Sequence, residues 1–399
     1  MVNDKCSIMI VAGEPSGDAH AAKLVKALRE LAPETRFEFF GAAGSSLREA
    51  GVEPTVNADN LSIVGLPEIA RALPLFLRTF QTLKREAIKR KPDAVVLVDF
   101  PDFNLKLAKT LKKQNLKIIY YISPQLWAWR KHRARTIKNS VDLLIAILPF
   151  EKDWYAERGI SHVEYVGSPL AREIHSTLSK EEFCAKHELD AAKPIIALLA
   201  GSRSKEIARI LPVLLETASL MSEKNPEIQF VLALSKNRKL AEIEKTLEEF
   251  NRRYAQINAN KATGVYPLKL TVIENETHEA LNASDAAAVT SGTATLETAI
   301  LGTPMAIVYK TSALNYKLLR PLINVEHFGL INLIARARLA KELIQDDFTK
   351  ETLAEELFRL LEPETNRKMR ERLRETAGTL GHGGASRRAA EAILKSITN

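Results

Sequence analysis

Short apolar runs recur along the chain, separated by longer stretches in which apolar positions fall three and four residues apart. An unbroken apolar run of this length suits a strand buried on both faces, and the wider spacing suits an amphipathic helix. The first half predicts strands at Ile8–Ala12, Phe37–Phe40, Ala94–Asp99, Lys117–Ile122, Leu143–Leu148 and Val163–Val166. A second series starts at Pro194–Ala200 and continues through IQFVLAL, LKLTVIE, DAAAVT and PMAIVYK. This alternation predicts an α/β chain of two Rossmann-like, doubly wound parallel-sheet domains facing a cleft. The segment Gly167–Lys193 breaks the alternation with a turn and a polar helix, so the domains are drawn as 1–170 and 171–399. The last helices are candidates to pack back on the N-terminal domain. In such sheets ligands bind beyond the carboxyl ends of the strands, and the loops there carry the chemistry.

Composition narrows the function only a little. The 399 residues, 46% apolar and 27% charged, describe an ordinary globular chain with room for two cores. No apolar run reaches the roughly 20 residues that span a bilayer, and SIMIVAG is too short for a signal peptide, so a cytoplasmic location is expected. Cys6 and Cys184 stand far apart without a ligand pattern, and no His/Asp/Glu cluster has metal spacing; neither a disulfide, a metal nor a cofactor is expected. An excess of 57 basic over 49 acidic residues favours an anionic partner without choosing one.

Three loops share one design. AGEPSGDAH (Ala12–His20), AGSRSKE (Ala200–Glu206) and TSGTATLE (Thr290–Glu297) each join a strand to a helix through glycine and hydroxyl residues. Backbone N–H groups and the helix dipole make such a junction an anion site, although small residues also simply start helices. None matches GxGxxG or the phosphate loop GxxxxGK[ST], which counts against dinucleotide oxidoreductases and common triphosphatases. With Thr293 starting the last helix, Glu297 lies one turn in, placed to accept hydrogen bonds from vicinal sugar hydroxyls or merely to complement the dipole. Arg203 reads as a phosphate clamp or as a surface arginine.

The run AVVLVDFPDFN ends an apolar strand in two carboxylates. Asp99 is the first choice for a general base, since partial burial at a strand end would raise its pKa; Asp102 reads as a base or as the N-cap of the next helix, and His20, held second to Asp99, is the alternative base. In ISPQLWAWRKHR, Trp127 and Trp129 read either as a hydrophobic wall for a sugar or acyl chain, or as packing beneath the loop. Arg130, Lys131, Arg133 and Arg135 follow. From Gly65 to Lys91 the apolar positions Leu66, Ile69, Leu73, Phe76, Phe80, Leu83 and Ala87 form one helical stripe, with Arg71, Arg78 and Arg85 on the other side and Pro74 expected to bend or restart the helix. That helix suits either core packing or an anionic membrane surface.

VAGEPSGDAH, VDFPDFN, YYISPQLWAWR, ILPFEKDWY, VGSPL, LLAGSRSKEI and SGTATLETAILGTPMAIVYK, in this order, resemble the bacterial lipid-A-disaccharide synthase family. The resemblance runs from about Ile8 to at least Ala335. It implies a GT-B type, inverting, metal-independent glycosyltransferase. The donor would be UDP-2,3-diacylglucosamine, the acceptor 2,3-diacylglucosamine 1-phosphate, and the product a β-1,6-linked disaccharide with UDP released. Carried over residue by residue, Gly13, Glu14, Ser16, Gly17 and Asp18 would border the catalytic crevice, and Asp99 would be the base, with Glu14 and Asn332 as further catalytic groups. Gly201, Ser202 and Arg203 would hold the diphosphate, and Ser291, Gly292, Thr293 and Glu297 the rest of the UDP. The implied setting is the cytoplasmic side of an anionic inner membrane, met peripherally, with no nucleic acid. Two departures are visible, Ala200 where the family loop often has Pro, and Phe100 where it often has Ala.

Two other classes compete. A peptidoglycan-type UDP-N-acetylglucosamine transferase shares the SGT…E loop but has a Gly-Gly-rich first loop where GEPSGD stands. A non-catalytic basic membrane-binding module would bind without turnover.

Overall fold

The computed structural model describes residues 4–61, 66–234, 240–259, 268–313, 316–317 and 326–398. They form two compact units, Met1–Pro169 with Leu380–Asn399, and Leu170–Thr379.

The first unit carries a seven-stranded sheet: β1 (Lys5–Ala12), β2 (Arg36–Ala43), β3 (Glu53–Asn57), β4 (Ala94–Val98), β5 (Ile118–Tyr121), β6 (Leu143–Ala146) and β7 (Val163–Tyr165). The order is β3-β2-β1-β4-β5-β6-β7 and every pair is parallel. Side chains of a strand alternate between faces, and here both faces are buried. Met9, Val11, Val95, Leu97 and Tyr120 enter one core; Ile8, Ile10, Val96, Val98 and Tyr121 enter the other. That double burial is why the strands read as unbroken apolar runs. β3, with its EPTVN sequence, is the exception that the pattern did not predict. As an edge strand it has one neighbour, a place where Pro54 and polar residues are tolerated.

The second unit repeats the plan with β8 (Ile195–Leu199), β9 (Gln229–Leu234), β10 (Leu270–Glu274), β11 (Ala286–Thr290), β12 (Met305–Tyr309) and β13 (Glu342–Ile344), ordered β10-β9-β8-β11-β12-β13 and again all parallel. The short edge strand β13 was likewise not predicted.

Each sheet winds outward in both directions from its first strand, so the order reverses beside β1 in one and beside β8 in the other. The loops leaving two adjacent strands there diverge to opposite faces and leave a crevice between them. The loops concerned follow β1 and β4 in the first unit, and β8 and β11 in the second. All three glycine-rich loops and the Asp99 turn are among them.

Helix Leu66–Arg90 runs as one element through Pro74, so the expected restart does not occur. The side chains of Leu66, Ile69 and Arg71 lie outside the described residues. Leu83 and Ala87 are buried, and Phe76 and Phe80 pack on the same core. Leu73 and Leu77 remain 55% and 57% exposed. No described helix is long and apolar enough to cross a membrane.

The C-terminal helix Ala385–Thr398 completes the first unit. Ala385, Ala389, Ala390 and Ile393 pack into the core shared with Ala21, Leu24, Val25 and Leu28 of helix Pro15–Leu31. Arg388 fastens its start, its Nε donating to the Val166 carbonyl at 2.8 Å and Nη1 to that of Gly383 at 2.7 Å. Ile393 is fully buried, so Ile393→Ala should lower stability by about 2–5 kcal/mol. Urea denaturation measures this, and an unchanged midpoint would mean that the helix contributes nothing to that core.

Candidate active site

The first-unit site begins where β4 ends. β4 is buried along its whole length, and the chain must then leave the sheet for helix Pro101–Lys112. It turns within two residues, Asp99 at φ 46° and Phe100 at φ 50°, both in the left-handed region that non-glycine residues rarely adopt. Three groups hold the turn. Tyr120, fully buried on β5, donates its hydroxyl to the Asp99 carbonyl at 2.6 Å, and the buried Asn104 amide donates to the same oxygen at 2.8 Å and to that of Val98 at 3.2 Å. The Phe100 ring lies against Phe76 and Phe103, with centroids 6.1 and 5.5 Å away, and against the backbone of Gly13. A Cβ at Gly13 would lie 2.4 Å from that ring, so this loop needs its glycine in order to seat Phe100.

Asp99 is thereby presented half-buried at the rim. Burial first, and then the charge of Glu14, push its carboxyl up to about 6, which suits a proton acceptor working near neutrality. Glu14 and Ser16 are exposed at the start of helix Pro15–Leu31 and Gly17 is buried beneath them, so the β1 loop and the Asp99 turn border one crevice.

Asp102 is different. Arg130 and Arg133 both donate to its Oδ1, at 2.6 and 2.5 Å, and hold its carboxyl below the ordinary range against a partial burial that alone would raise it. The N-cap position belongs to Phe100, so Asp102 is a first-turn partner for two arginines. Asp18 also has a structural task. Its buried carboxylate accepts from the backbone N–H groups of Gly44, Ser46 and Leu47 at 2.6, 2.8 and 3.2 Å, capping the short helix after β2.

The two tryptophans separate. Trp127 is buried, edge-on to Phe150 at 5.1 Å, with Nε1 donating to Glu151 at 3.1 Å. Trp129 is 38% exposed, with the Arg130 guanidinium stacked 4.2 Å from its ring centroid. Only Trp129 therefore has a face to offer a ligand. Glu151, which sequence reasoning did not single out, anchors this loop: one carboxylate takes Trp127 and the N–H groups of Ile147 and Leu148. Complete burial outweighs those hydrogen bonds and pushes its carboxyl up to about 7.

In the second unit a cavity of about 650 Å³ opens beyond β8 and β11. Gly201, Ser202, Arg203, Ser291, Gly292, Thr293 and Glu297 all line it, which brings the two predicted loops together. Thr290 donates to the Leu199 carbonyl at 2.8 Å, tying the two strand ends. Gly292 sits at φ 147° with nothing within 4 Å of a Cβ, so glycine is required by the backbone and not by crowding. Thr293 is the N-cap of helix Ala294–Leu301, and Thr293, Ala294 and Glu297 put the start of that helix at the cavity wall.

Neither principal ionic group of this cavity is idle. Arg203 Nη1 meets Glu206 Oε1 at 3.2 Å, and Glu297 Oε2 meets His278 Nε2 at 3.2 Å. His278 was also missed in the sequence, because a lone histidine on a short helix carries no spacing signal.

Asn332, expected as a catalytic group, is fully buried. Its amide donates to the Ala340 carbonyl at 2.7 Å and to Glu342 at 2.9 Å, and its carbonyl accepts from Ala340 N–H at 2.8 Å. Glu342 in turn accepts from Phe328 and Gly329 N–H, and the Phe328 carbonyl accepts from Ser291 Oγ at 2.8 Å. Through Glu342, Asn332 is thus linked by hydrogen bonds to Phe328 and Gly329 and so to the Ser291 loop.

A family model described as lipid-A-disaccharide synthetase matches residues 8–397. A lipid-A-disaccharide synthase from Trichlorobacter lovleyi is 39% identical over 391 residues, covering 98% of this chain and 97% of its own. One from Myxococcus xanthus is 41% identical over 389 residues, covering 97% of each. Among solved structures, a putative UDP-N-acetylglucosamine 2-epimerase from Listeria monocytogenes superposes with TM-score 0.61 at 16% identity, covering 98% and 96% of the two chains. The UDP-GlcNAc 2-epimerase from Neisseria meningitidis, bound to UDP-GlcNAc, gives 0.59 at 15%, covering 98% and 100%. These two share the fold.

Glu151 gives a test of the loop anchor. Its carboxyl rises from an ordinary 4.5 to about 7 in the folded chain, so the protein holds a proton that the unfolded chain has lost. Its contribution is complete below about 4.5 and fades as pH climbs to 7. Urea denaturation across that range should show wild-type stability falling with pH and a flatter slope for Glu151→Gln; parallel slopes would mean that Glu151 is not protonated in the fold.

Proposed function

The chain belongs to the lipid-A-disaccharide synthase family, and from that premise we propose how its residues divide the work. The protein is a hexosyltransferase that makes the lipid A disaccharide. In our reading it moves 2,3-diacylglucosamine from its UDP donor to the 6-hydroxyl of 2,3-diacylglucosamine 1-phosphate.

Asp99 takes the proton. As the acceptor oxygen bonds to the donor's anomeric carbon, the bond from that carbon to the β-phosphate oxygen breaks, its electron pair leaves with UDP, and the hydroxyl proton passes to the carboxylate. The observation that carries this role is the left-handed turn that holds a raised-pKa carboxylate at the strand end. Asp102 is a poorer base, because two arginines stabilise its charged form. Attack on one face with departure from the other inverts the anomeric centre and gives the β-linkage.

Charge that develops on the departing UDP is assigned to the second unit. The N-terminus of helix Ala294–Leu301, the Ser291–Thr293 loop and Arg203 supply N–H donors and positive charge, and Glu297 accepts from the ribose hydroxyls. Arg203 must exchange Glu206 for phosphate on binding. Glu14 acts through charge, sharpening the basicity of Asp99.

We assign the acylated substrates' surroundings to Trp129 and to the outer face of helix Leu66–Arg90. Leu73, Leu77 and Ile88 are exposed there, with Arg78 and Arg85 alongside, a combination that suits peripheral contact with an anionic bilayer.

Purified protein given the UDP donor and the acceptor should release UDP and form disaccharide, followed by mass spectrometry. Asp99→Asn should lower kcat by about 10²–10⁴ while UDP affinity holds, and the wild-type rate should climb with pH through about 6 as the base deprotonates. Full activity in Asp99→Asn would remove it as the base. For the membrane face, Leu73→Ser with Leu77→Ser should weaken binding to vesicles containing anionic lipid about tenfold or more. Co-sedimentation equal to wild type would place the contact elsewhere.

A further inference from the structure

The nucleotide cavity stores its charges as two ion pairs, and in one of them the cation, His278, has no assigned part in the reaction. His278 stands on helix Thr277–Ala283, following β10, and lines the cavity together with Glu297, Arg203 and the Ser291–Thr293 loop. Its side chain is one-third exposed and Nε2 is 3.2 Å from the Glu297 carboxylate. Glu297 is the group assigned above to the ribose hydroxyls. It has two oxygens, and accepting from vicinal hydroxyls competes with the histidine for them.

The groups around His278 can be named. Glu297 faces it from helix Ala294–Leu301, Glu279 follows it on its own helix, and the Arg203–Glu206 pair lines the same cavity from the β8 loop. Glu279 is itself engaged by the Thr177 hydroxyl at 3.0 Å. Across the neighbouring helix, Lys186 and His187 are taken by Glu276 at 2.8 and 3.0 Å, so they do not supply charge to the cavity. The local field is therefore acidic on two sides of the imidazole, and the hydrogen bond to Glu297 leads in holding its pKa above the ordinary value.

We propose that His278 is a second cationic contact for the donor's diphosphate: when Glu297 turns to the ribose, Nε2 exchanges the carboxylate for a phosphate oxygen. The cavity thus keeps each cation on a neighbouring carboxylate, Arg203 on Glu206 and His278 on Glu297, and an anionic ligand re-pairs both. This rests on the reading of the cavity as the UDP site. The exchange replaces one charge-assisted hydrogen bond by another, so it is nearly balanced until the ligand brings in its own negative charge. Because only the imidazolium can serve as this cation, the contact is present below the folded pKa of His278 and lost as pH rises through it.

The test is UDP affinity by isothermal titration calorimetry from pH 6 to pH 8.5, comparing wild type, His278→Gln and His278→Arg. UDP's own terminal phosphate titrates alike with all three proteins, so the ratio between proteins isolates the side chain. His278→Gln should weaken UDP about tenfold at the acid end and much less at the alkaline end, and His278→Arg should restore affinity at both. Equal affinity of wild type and His278→Gln at every pH overturns the proposal. So does a pH-independent loss that arginine does not rescue, since that would mean a purely steric support of Glu297. Wild type that fails to bind UDP at all would instead overturn the cavity assignment on which the proposal rests.

Discussion

Two consecutive non-glycine residues in left-handed conformation, Asp99 and Phe100, are the constraint around which the first unit's site is built. Each such residue costs about 1–2 kcal/mol relative to an ordinary conformation. The surroundings offset that cost through specific contacts: Tyr120 and Asn104 on the Asp99 carbonyl, Phe76 and Phe103 on the Phe100 ring, and Gly13 clearing the space beneath it. The conformation throws the Asp99 side chain to the rim and keeps it close enough to the core to lose water. Its raised pKa follows from that placement and from Glu14 beside it.

The second unit solves a similar problem by other means. There the strand ends are tied by Thr290 on Leu199, and the turn uses a true glycine, Gly292. The Ser291 loop is braced from behind by Phe328, Glu342 and Asn332, all linked by hydrogen bonds. In our reading one unit positions a base and the other an anion site, and each set of residues lies at the switch point of its own sheet.

Much of this was legible in the sequence. Eleven strands announced themselves as apolar runs, the central ones because both sheet faces are buried, and the three glycine loops because a strand-to-helix junction at a crevice requires small residues. β3 and β13 did not, because edge strands are short and need not be apolar. The Asp99 turn was hidden for another reason: a left-handed pair is normally announced by glycine, and Asp-Phe carries no such mark, so the strand read as one residue longer than it is. Family resemblance implied a catalytic role for Asn332, and no feature of the sequence marks that its amide hydrogen-bonds to Ala340 and Glu342. Trp127 and Trp129 differ by two positions and look equivalent in sequence; Glu151, 24 residues beyond Trp127, decides which one is buried. Glu151, His278 and Glu342 all act on partners distant in sequence, and no local spacing encodes such pairings.

The central claim, that this turn produces a carboxylate poised to accept a proton, concerns an equilibrium property of one side chain. It is tested most directly by a carbon-13 NMR titration of the aspartate carboxyl resonances, with Asp99 assigned by comparison with Asp99→Asn. The account predicts that Asp99 titrates at about 6, well above Asp102, whose two arginines hold it low. An Asp99 that titrates at the ordinary aspartate value of 3.8 would contradict it, because the turn would then confer no special basicity.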